Sequence, residues 1–353
     1  MRRTEFHNRE REKKEIMNIL NTEPTLITFI YGPINSGKTE LITHLIKQLS
    51  EEYAVFYINL RGKFIKSYEE FLDVLFEIDE EKKVENVKEY AKAVLKDFKS
   101  ISGIPIPINL FDKMFERRER SKDVFKYIEG FLVEIAKKCV PVLIIDELHV
   151  IGDVKIDELL IYKLFNFFIR LTKELHLAHV FAVTSDSLFI ERIYSEAMLQ
   201  GRCRYLLVDD FDKETAMNFF DKYGFNDREK ENAWIYCGGK PVYLLELMRA
   251  EDKEEMVKKM LKIRTSQIEE LLNSLRAYGD KIEFRGGLHE VSFDKVVEGL
   301  SKLKEKVYVY EYITPEISYL VRNNIIFVDP LEKVMRAQST LDLLAIREVV
   351  KDA

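Results

Sequence analysis

The sequence predicts an α/β fold: a doubly wound parallel sheet over residues 1–208, then two largely helical parts at 209–263 and 264–353. Three observations predict it. Short strands rich in β-branched and aromatic residues alternate with helical periods as far as Val208. The run Val142-Leu143-Ile144-Ile145 is apolar on both faces, as the middle of a parallel sheet requires. Beyond Asp209-Asp210-Phe211 the alternation stops and helical periods dominate.

In chain order, residues 8–20 read as a charged amphipathic helix with Ile16, Ile19 and Leu20 on its apolar side. Thr25–Tyr31 is the first strand, Glu40–Lys47 has helical period, and Ala54–Leu60 is a second buried strand. Residues 67–99 read as two helices. Phe71, Leu72, Leu75, Phe76 and Ile78 mark the first, and Val87, Tyr90, Ala91, Val94, Leu95 and Phe98 the second. Ile101 to Ile108, with Gly103, Pro105 and Pro107, is an irregular loop or a short edge strand. A helix at 121–138 leads into the strand 140–145, and a helix at 157–176 precedes the strand His179–Thr184. The apolar residues Leu160, Ile161, Leu164, Phe165, Phe167, Phe168 and Leu171 mark that helix as core, or as a face under another domain. Cys203–Val208 closes the series, with right-handed crossovers throughout. Residues 212–262 are helical apart from Gly224 and Gly238-Gly239-Lys240-Pro241. The remainder reads as helices at 266–278, 292–301, 306–311 and 314–323, a hairpin near 325–330 and a helix at 338–350, the outline of a winged-helix domain.

A chain of 353 residues with 46% hydrophobic and 33% charged content is long enough for a full core and too apolar to be disordered. The net charge of −6 argues against broad, non-specific nucleic-acid binding. No apolar run reaches a membrane span, and the Met1–Glu5 start leads into charge, not a signal-peptide core, so the expectation is a cytoplasmic protein. Cys139, Cys203 and Cys237 are odd in number and widely spaced, as small buried residues in a reducing compartment are. Lys and Glu abound while Gln stands only at 48, 200, 267 and 338, a bias of thermophile proteins.

The chemistry concentrates in Gly32-Pro33-Ile34-Asn35-Ser36-Gly37-Lys38-Thr39, which fits the pattern G-x-x-x-x-G-K-[ST] between a strand and a helix. Gly32 and Gly37 let backbone amides surround phosphates, with Pro33, Asn35, Ser36 and Glu40 along the cradle and the helix dipole behind it. Lys38 is placed to reach the β- and γ-phosphates, and the Thr39 hydroxyl to ligate Mg²⁺. ATP or ADP with Mg²⁺ is therefore the expected ligand. Asp146 and Glu147 end the buried strand 142–145, Asp146 as the Mg²⁺ ligand and Glu147 as the base for the attacking water. Thr184 and Ser185 end a strand that belongs between the other two and are candidates to sense the γ-phosphate, against the plainer reading as caps of the next helix. Arg202 and Arg204 are charge-neutralising candidates for a γ-phosphate in the same chain or a neighbour, equally readable as surface ion pairs. The mixed signs of Glu116–Arg120 mark a solvated helix start. His149 has no metal-spaced partner, and a lone histidine is more often structural.

Together these motifs resemble the archaeal ATPase family within the STAND class of AAA+-related P-loop ATPases. Phe6-His7-Asn8-Arg9-Glu10-Arg11-Glu12 is similar to that class's hydrophobic-G/N-R-E-x-E signature, which implies that Phe6, Asn8, Arg9 and Glu12 lie near the adenine. The resemblance covers Gly32–Thr39 and Ile145–Glu147 as Walker A and B motifs, and Gly201-Arg202 as a pair before the last strand. It also covers Gly238-Gly239-Lys240-Pro241, with Pro241 near the base at the entry to lid helices. It implies a P-loop domain at 1–208, a helical lid at 209–263 and a winged-helix-like domain at 264–353. It further implies a slow ATPase switch in which ATP opens or assembles the chain in answer to an unidentified partner. Thr184-Ser185-Asp186-Ser187 contains no arginine, so γ-phosphate sensing is expected of Arg202, and residues 61–125 match no motif.

Two other functions are weighed against the switch. A nucleotide-gated DNA-binding protein is disfavoured by 12 Lys and Arg against 15 Asp and Glu in residues 265–353. A metabolic kinase lacks a recognisable acceptor motif.

Overall fold

The computed structural model describes residues 5–352 except 64, 85, 95–100, 117–119, 152–154, 157 and 304–305. Leu95, Phe98 and most of the Glu116–Arg120 cluster lie outside the described residues. The chain divides into two compact units. The first comprises Met1–Tyr31, Lys38–Thr184 and Glu196–Leu207, the second Gly32–Gly37, Ser185–Ser195 and Val208–Ala353.

The first unit is built on six parallel strands: β1 (Ile27–Tyr31), β2 (Tyr53–Asn59), β3 (Ile101–Ser102), β4 (Val140–Asp146), β5 (His179–Thr184) and β6 (Cys203–Leu207). Their order is β6-β1-β5-β4-β2-β3. All five residues of β1 and all six of β5 are buried, which suits strands with neighbours on both sides. Register decides what reaches the carboxyl edge of the sheet. Tyr31 lies opposite Thr184, Val183 opposite Asp146, and Asp146 opposite Asn59. Ligands of open α/β sheets bind at that edge. Phe29, Phe56, Phe131, Phe165, Phe168 and Phe181 are fully buried, with edge-to-face pairs Phe29–Phe165 at 5.9 Å and Phe56–Phe131 at 5.7 Å. The helix Leu160–Ile169 buries seven of its residues, so its all-round apolarity marks core.

One expectation in the 61–125 region needs correcting. The first helix, opened by a Ser67/Glu70 capping box, stops at Leu75. Phe76–Asp79 is instead a strand paired in parallel with Ile104–Pro107. Pro105 and Pro107 are tolerated there because this small sheet has two strands and leaves one side of each without a ladder.

In the second unit, helices Lys213–Lys222, Asp227–Cys237, Pro241–Arg249 and Lys253–Tyr278 surround a core of Phe219, Phe220, Ala233, Leu244 and Leu247. Helices Phe293–Lys302, Pro315–Arg322 and Thr340–Asp352 share another core with the strands Ile326–Asp329 and Val334–Ala337. Residues 306–311, expected to be helical, contain the strand Tyr308–Val309 paired with Val334–Met335. The physical reason is Val307-Tyr308-Val309-Tyr310, whose period of two and β-branched and aromatic composition suit a sheet edge. A second hairpin, Lys281–Phe284 with Gly287–Glu290, was not expected. Arg285 and Gly286 at its turn both have positive φ, 50° and 78°, the geometry of a tight two-residue loop. Among the described residues no helix is long and apolar enough to cross a membrane.

The start of β5 makes stability sensitive to acid. Burial, reinforced by the Arg204 guanidinium, lowers the His179 pKa from 6.5 to about 4. Below pH 6.5 the unfolded chain takes up this proton before the folded one does. Stability is therefore expected to fall between about pH 6.5 and 4, by up to about 3 kcal/mol for this group. Denaturant midpoints across that range check it: His179→Gln should flatten the slope, and an unchanged slope removes His179 as the cause.

Candidate nucleotide site

The loop Gly32–Gly37 follows β1 in the chain, at the carboxyl end of a fully buried strand, and its residues belong to the second unit. A Cβ on Gly32 would collide with the Val208 carbonyl, so glycine is required by close approach. Gly37 has φ 92° and Asn35 φ 60°, both in the left-handed region, which turns successive peptide groups along the loop. Pro33 and Ser36 are buried while Asn35 is exposed. Lys38 opens the helix Lys38–Gln48 in the first unit and is itself buried, with Glu40 exposed in the same first turn.

Around Asp146 the first unit assembles an oxygen-rich cluster. The Thr39 hydroxyl donates to Asp146 Oδ2 at 2.8 Å, the Tyr57 hydroxyl to the same oxygen at 2.9 Å, and the Glu147 N–H to Oδ1 at 3.0 Å. Asp146 is 1% exposed. Burial raises its pKa, opposed by the bonds from Thr39 and Tyr57. Burial beside the Asp146 carboxylate also pushes the Tyr57 phenol well above its ordinary value, so it stays a donor. A hydroxyl beside a carboxylate is a hard-oxygen set of the kind that holds Mg²⁺ together with phosphate oxygens and water. Among the described residues no group of three or more His, Cys, Asp or Glu could hold a metal ion.

Glu147 sits next to this cluster with φ 60°, which turns its side chain away from the line of β4. The Arg61 guanidinium grips its carboxylate, Nη2 at 2.6 Å and Nε at 3.2 Å from Oε1. Arg61 is positioned by its own N–H, which donates to Asn59 Oδ1 at 2.8 Å, just past the tip of β2. His149 joins from the other side. Its Nδ1 lies 3.0 Å from the Thr184 hydroxyl and 3.4 Å from Glu147 Oε2. Thr184 is thus linked to Glu147 through His149, and the capping of the next helix falls to Asp186, which accepts from Leu188 and Phe189 N–H.

Other sequence candidates fall elsewhere. Asn8 and Arg9 both have positive φ, 56° and 74°, and the buried Arg9 pairs with Glu12 at 2.7 Å. Phe6 stacks on His44 at 3.9 Å, which lays the N-terminal segment on the helix that follows the loop. Pro241 is the first residue of the helix Pro241–Arg249 in the second unit. Arg202 lies at the opposite edge of the sheet: its carbonyl accepts from Ile27 N–H, and its guanidinium donates to the Met198 carbonyl at 2.9 Å. Four residue steps, about 13 Å, separate Ile27 from Tyr31, so β1 keeps Arg202 away from the phosphate end within one chain. Tyr57 and Arg61 were missed from the sequence, and His149 was discounted. The available signal was a polar strand tip, Tyr57-Ile58-Asn59, followed closely by an arginine beside the acidic strand.

Comparison with known proteins agrees with this architecture. Residues 6–247 match the family described as an ATPase domain predominantly from Archaea. Residues 254–350 match the C-terminal domain of MJ1010-like uncharacterized ATP-binding proteins. An uncharacterized ATP-binding protein of Pyrococcus abyssi is 47% identical over 348 residues, 98% of each chain. One from Methanocaldococcus jannaschii is 44% identical over 364 aligned positions, covering 99% of this chain and 98% of its own. The solved Walker-type ATPase PABY2304 of Pyrococcus abyssi shares the fold, with a TM-score of 0.56 at 16% identity over 98% of this chain and 97% of that one. The chain belongs to the archaeal ATPase-domain family and carries an MJ1010-like C-terminal domain.

Proposed function

We propose that the protein binds ATP with Mg²⁺ and hydrolyses it slowly, as a STAND-type switch whose nucleotide state rearranges its C-terminal half. The observation that carries this reading is the Thr39 hydroxyl on the buried Asp146 carboxylate, at the foot of a glycine loop and beside Glu147. The backbone N–H groups of the Gly32–Gly37 loop not taken up by Gln338, and the Lys38 ammonium, take the phosphates. Thr39 and Asp146 would hold Mg²⁺, which when bound supplies neutralising charge between the phosphates. Glu147 accepts a proton from water, with Thr184 and His149 orienting the γ-phosphate side. Phe6, Asn8 and Arg9 are assigned to the adenine. Residues 209–263 are read as the lid and 264–353 as the winged-helix-like part. Arg202 has no part in this in-chain reading.

The Arg61 ion pair supports slow turnover. A carboxylate tied to a guanidinium at 2.6 Å is a weakened base, and Arg61, 64% exposed, is the partner that solvent or another molecule reaches.

Three outcomes follow. Lys38→Ala should weaken Mg·ATP binding by roughly 10–100-fold in calorimetry. Glu147→Gln should keep binding but lower phosphate release by about 10²–10⁴. Wild-type protein releasing no phosphate with Mg²⁺ would remove the hydrolytic claim. Arg61→Ala should raise the steady-state rate, and an equal or lower rate overturns its restraining role.

A fourth variant tests the charge on Asp146. Because its folded pKa is raised, the carboxyl favours folding at low pH, and that contribution is lost as pH rises through the folded value. Asp146→Asn should therefore raise the unfolding midpoint of nucleotide-free protein at neutral pH. The gain should vanish towards the ordinary carboxylate range, while stabilisation by Mg·ADP falls. A midpoint lowered at neutral pH would show that the lost hydrogen bonds outweigh burial.

A further inference from the structure

Two buried side chains of the second unit close on one residue of the phosphate loop. The Ile34 N–H donates to Gln338 Oε1 at 3.2 Å, and the Ile34 carbonyl accepts from Lys240 Nζ at 3.0 Å. Gln338 is 3% exposed and Lys240 2%. Both are anchored from behind. Gln338 Nε2 donates to the Ile326 carbonyl at 3.0 Å, and its backbone N–H to the Ile325 carbonyl at 3.0 Å. Lys240 forms an ion pair with Asp210 at 3.0 Å. Its approach depends on the preceding glycine: the Phe211 N–H donates to the Gly239 carbonyl at 2.9 Å, and a Cβ on Gly239 would overlap the Phe211 carbonyl.

The consequence for the loop follows from peptide geometry. The peptide between Ile34 and Asn35 is planar and trans, so its N–H points opposite to its carbonyl. Lys240, by holding the Ile34 carbonyl, turns the Asn35 N–H to the other side. Gln338 fixes the preceding peptide in the same way through the Ile34 N–H. Residues outside the motif thus orient the Asn35 N–H and hold the Ile34 N–H.

The strand that receives Gln338 makes a second connection. The Val328 N–H donates to the buried Ser187 hydroxyl at 3.3 Å, just beyond Thr184-Ser185. The hairpin 326–337 therefore touches both the loop and the segment after the phosphate-sensing strand.

We propose that Lys240 and Gln338 are positioning residues for the phosphate loop. Affinity for a nucleoside diphosphate then depends on the 326–337 hairpin, and a bound diphosphate steadies that hairpin in return, as reciprocal coupling requires. This rests on the nucleotide reading above.

The test uses the full chain. Calorimetry with Mg·ADP on Gln338→Leu and Lys240→Met should show affinity lowered about tenfold each, with Lys240→Arg restoring most of it. Hydrogen exchange of wild-type protein should slow in 326–337 when Mg·ADP is added, and Gln338→Leu should abolish that slowing. Folded variants that bind Mg·ADP like wild type overturn the proposal while leaving the nucleotide site standing. Should the variants fail to fold, wild-type exchange decides: protection in 326–337 supports the coupling, and unchanged exchange there overturns it. If wild-type protein does not bind Mg·ADP, the nucleotide reading fails and this proposal with it.

Discussion

The site depends on one buried negative charge. Asp146 is removed from water at the end of a central strand, which costs free energy for any carboxylate. Two hydroxyls and a backbone N–H offset part of that cost. None of them carries positive charge. A charge kept in this way is suited to a ligand that brings its own cation, and the neighbouring parts follow from that placement. Tyr57 must remain a donor, Thr39 must stand in the first turn of its helix beside the carboxylate, and Glu147 leaves the line of the strand at φ 60°.

Much of the core was legible because it is local in sequence. Gly32–Thr39 is contiguous, the apolar run 142–145 leads straight into Asp146-Glu147, and the strand ending in Thr184 lies between those two in the sheet, as its order required. What was not legible joins residues far apart. Arg61 meets Glu147 across 86 positions and Gln338 meets Ile34 across 304, and no periodicity encodes such a meeting. The contacts of His149 were hidden for a related reason: its partner Thr184 is 35 residues away, so in one dimension it looks solitary. Arg202 is a contrasting case within one chain. A motif beside the last strand suggested proximity to phosphate, but the parallel register sends the start of β6 to the far edge.

The second unit was legible in its helices and less so in its short strands. Val307-Tyr308-Val309-Tyr310 lies among lysines and glutamates whose helical propensity masks a period of two. Packing settles the matter, since Tyr310 is buried while Val309 is exposed. The hairpin at 281–290 hangs on Arg285-Gly286, a weaker turn signal than Asn-Gly. Short strands read poorly for a general reason: two to four residues hold too few alternations to outweigh their flanks.

The backbone of Glu147 carries a consequence of its own. A left-handed conformation costs a side-chain-bearing residue about 1–2 kcal/mol relative to glycine, so this position trades fold stability for a carboxylate. Selection for mere persistence of the fold would drift it towards glycine or asparagine. A glutamate at that angle leaves the line of its strand and holds its carboxylate between the Arg61 guanidinium and the His149 imidazole.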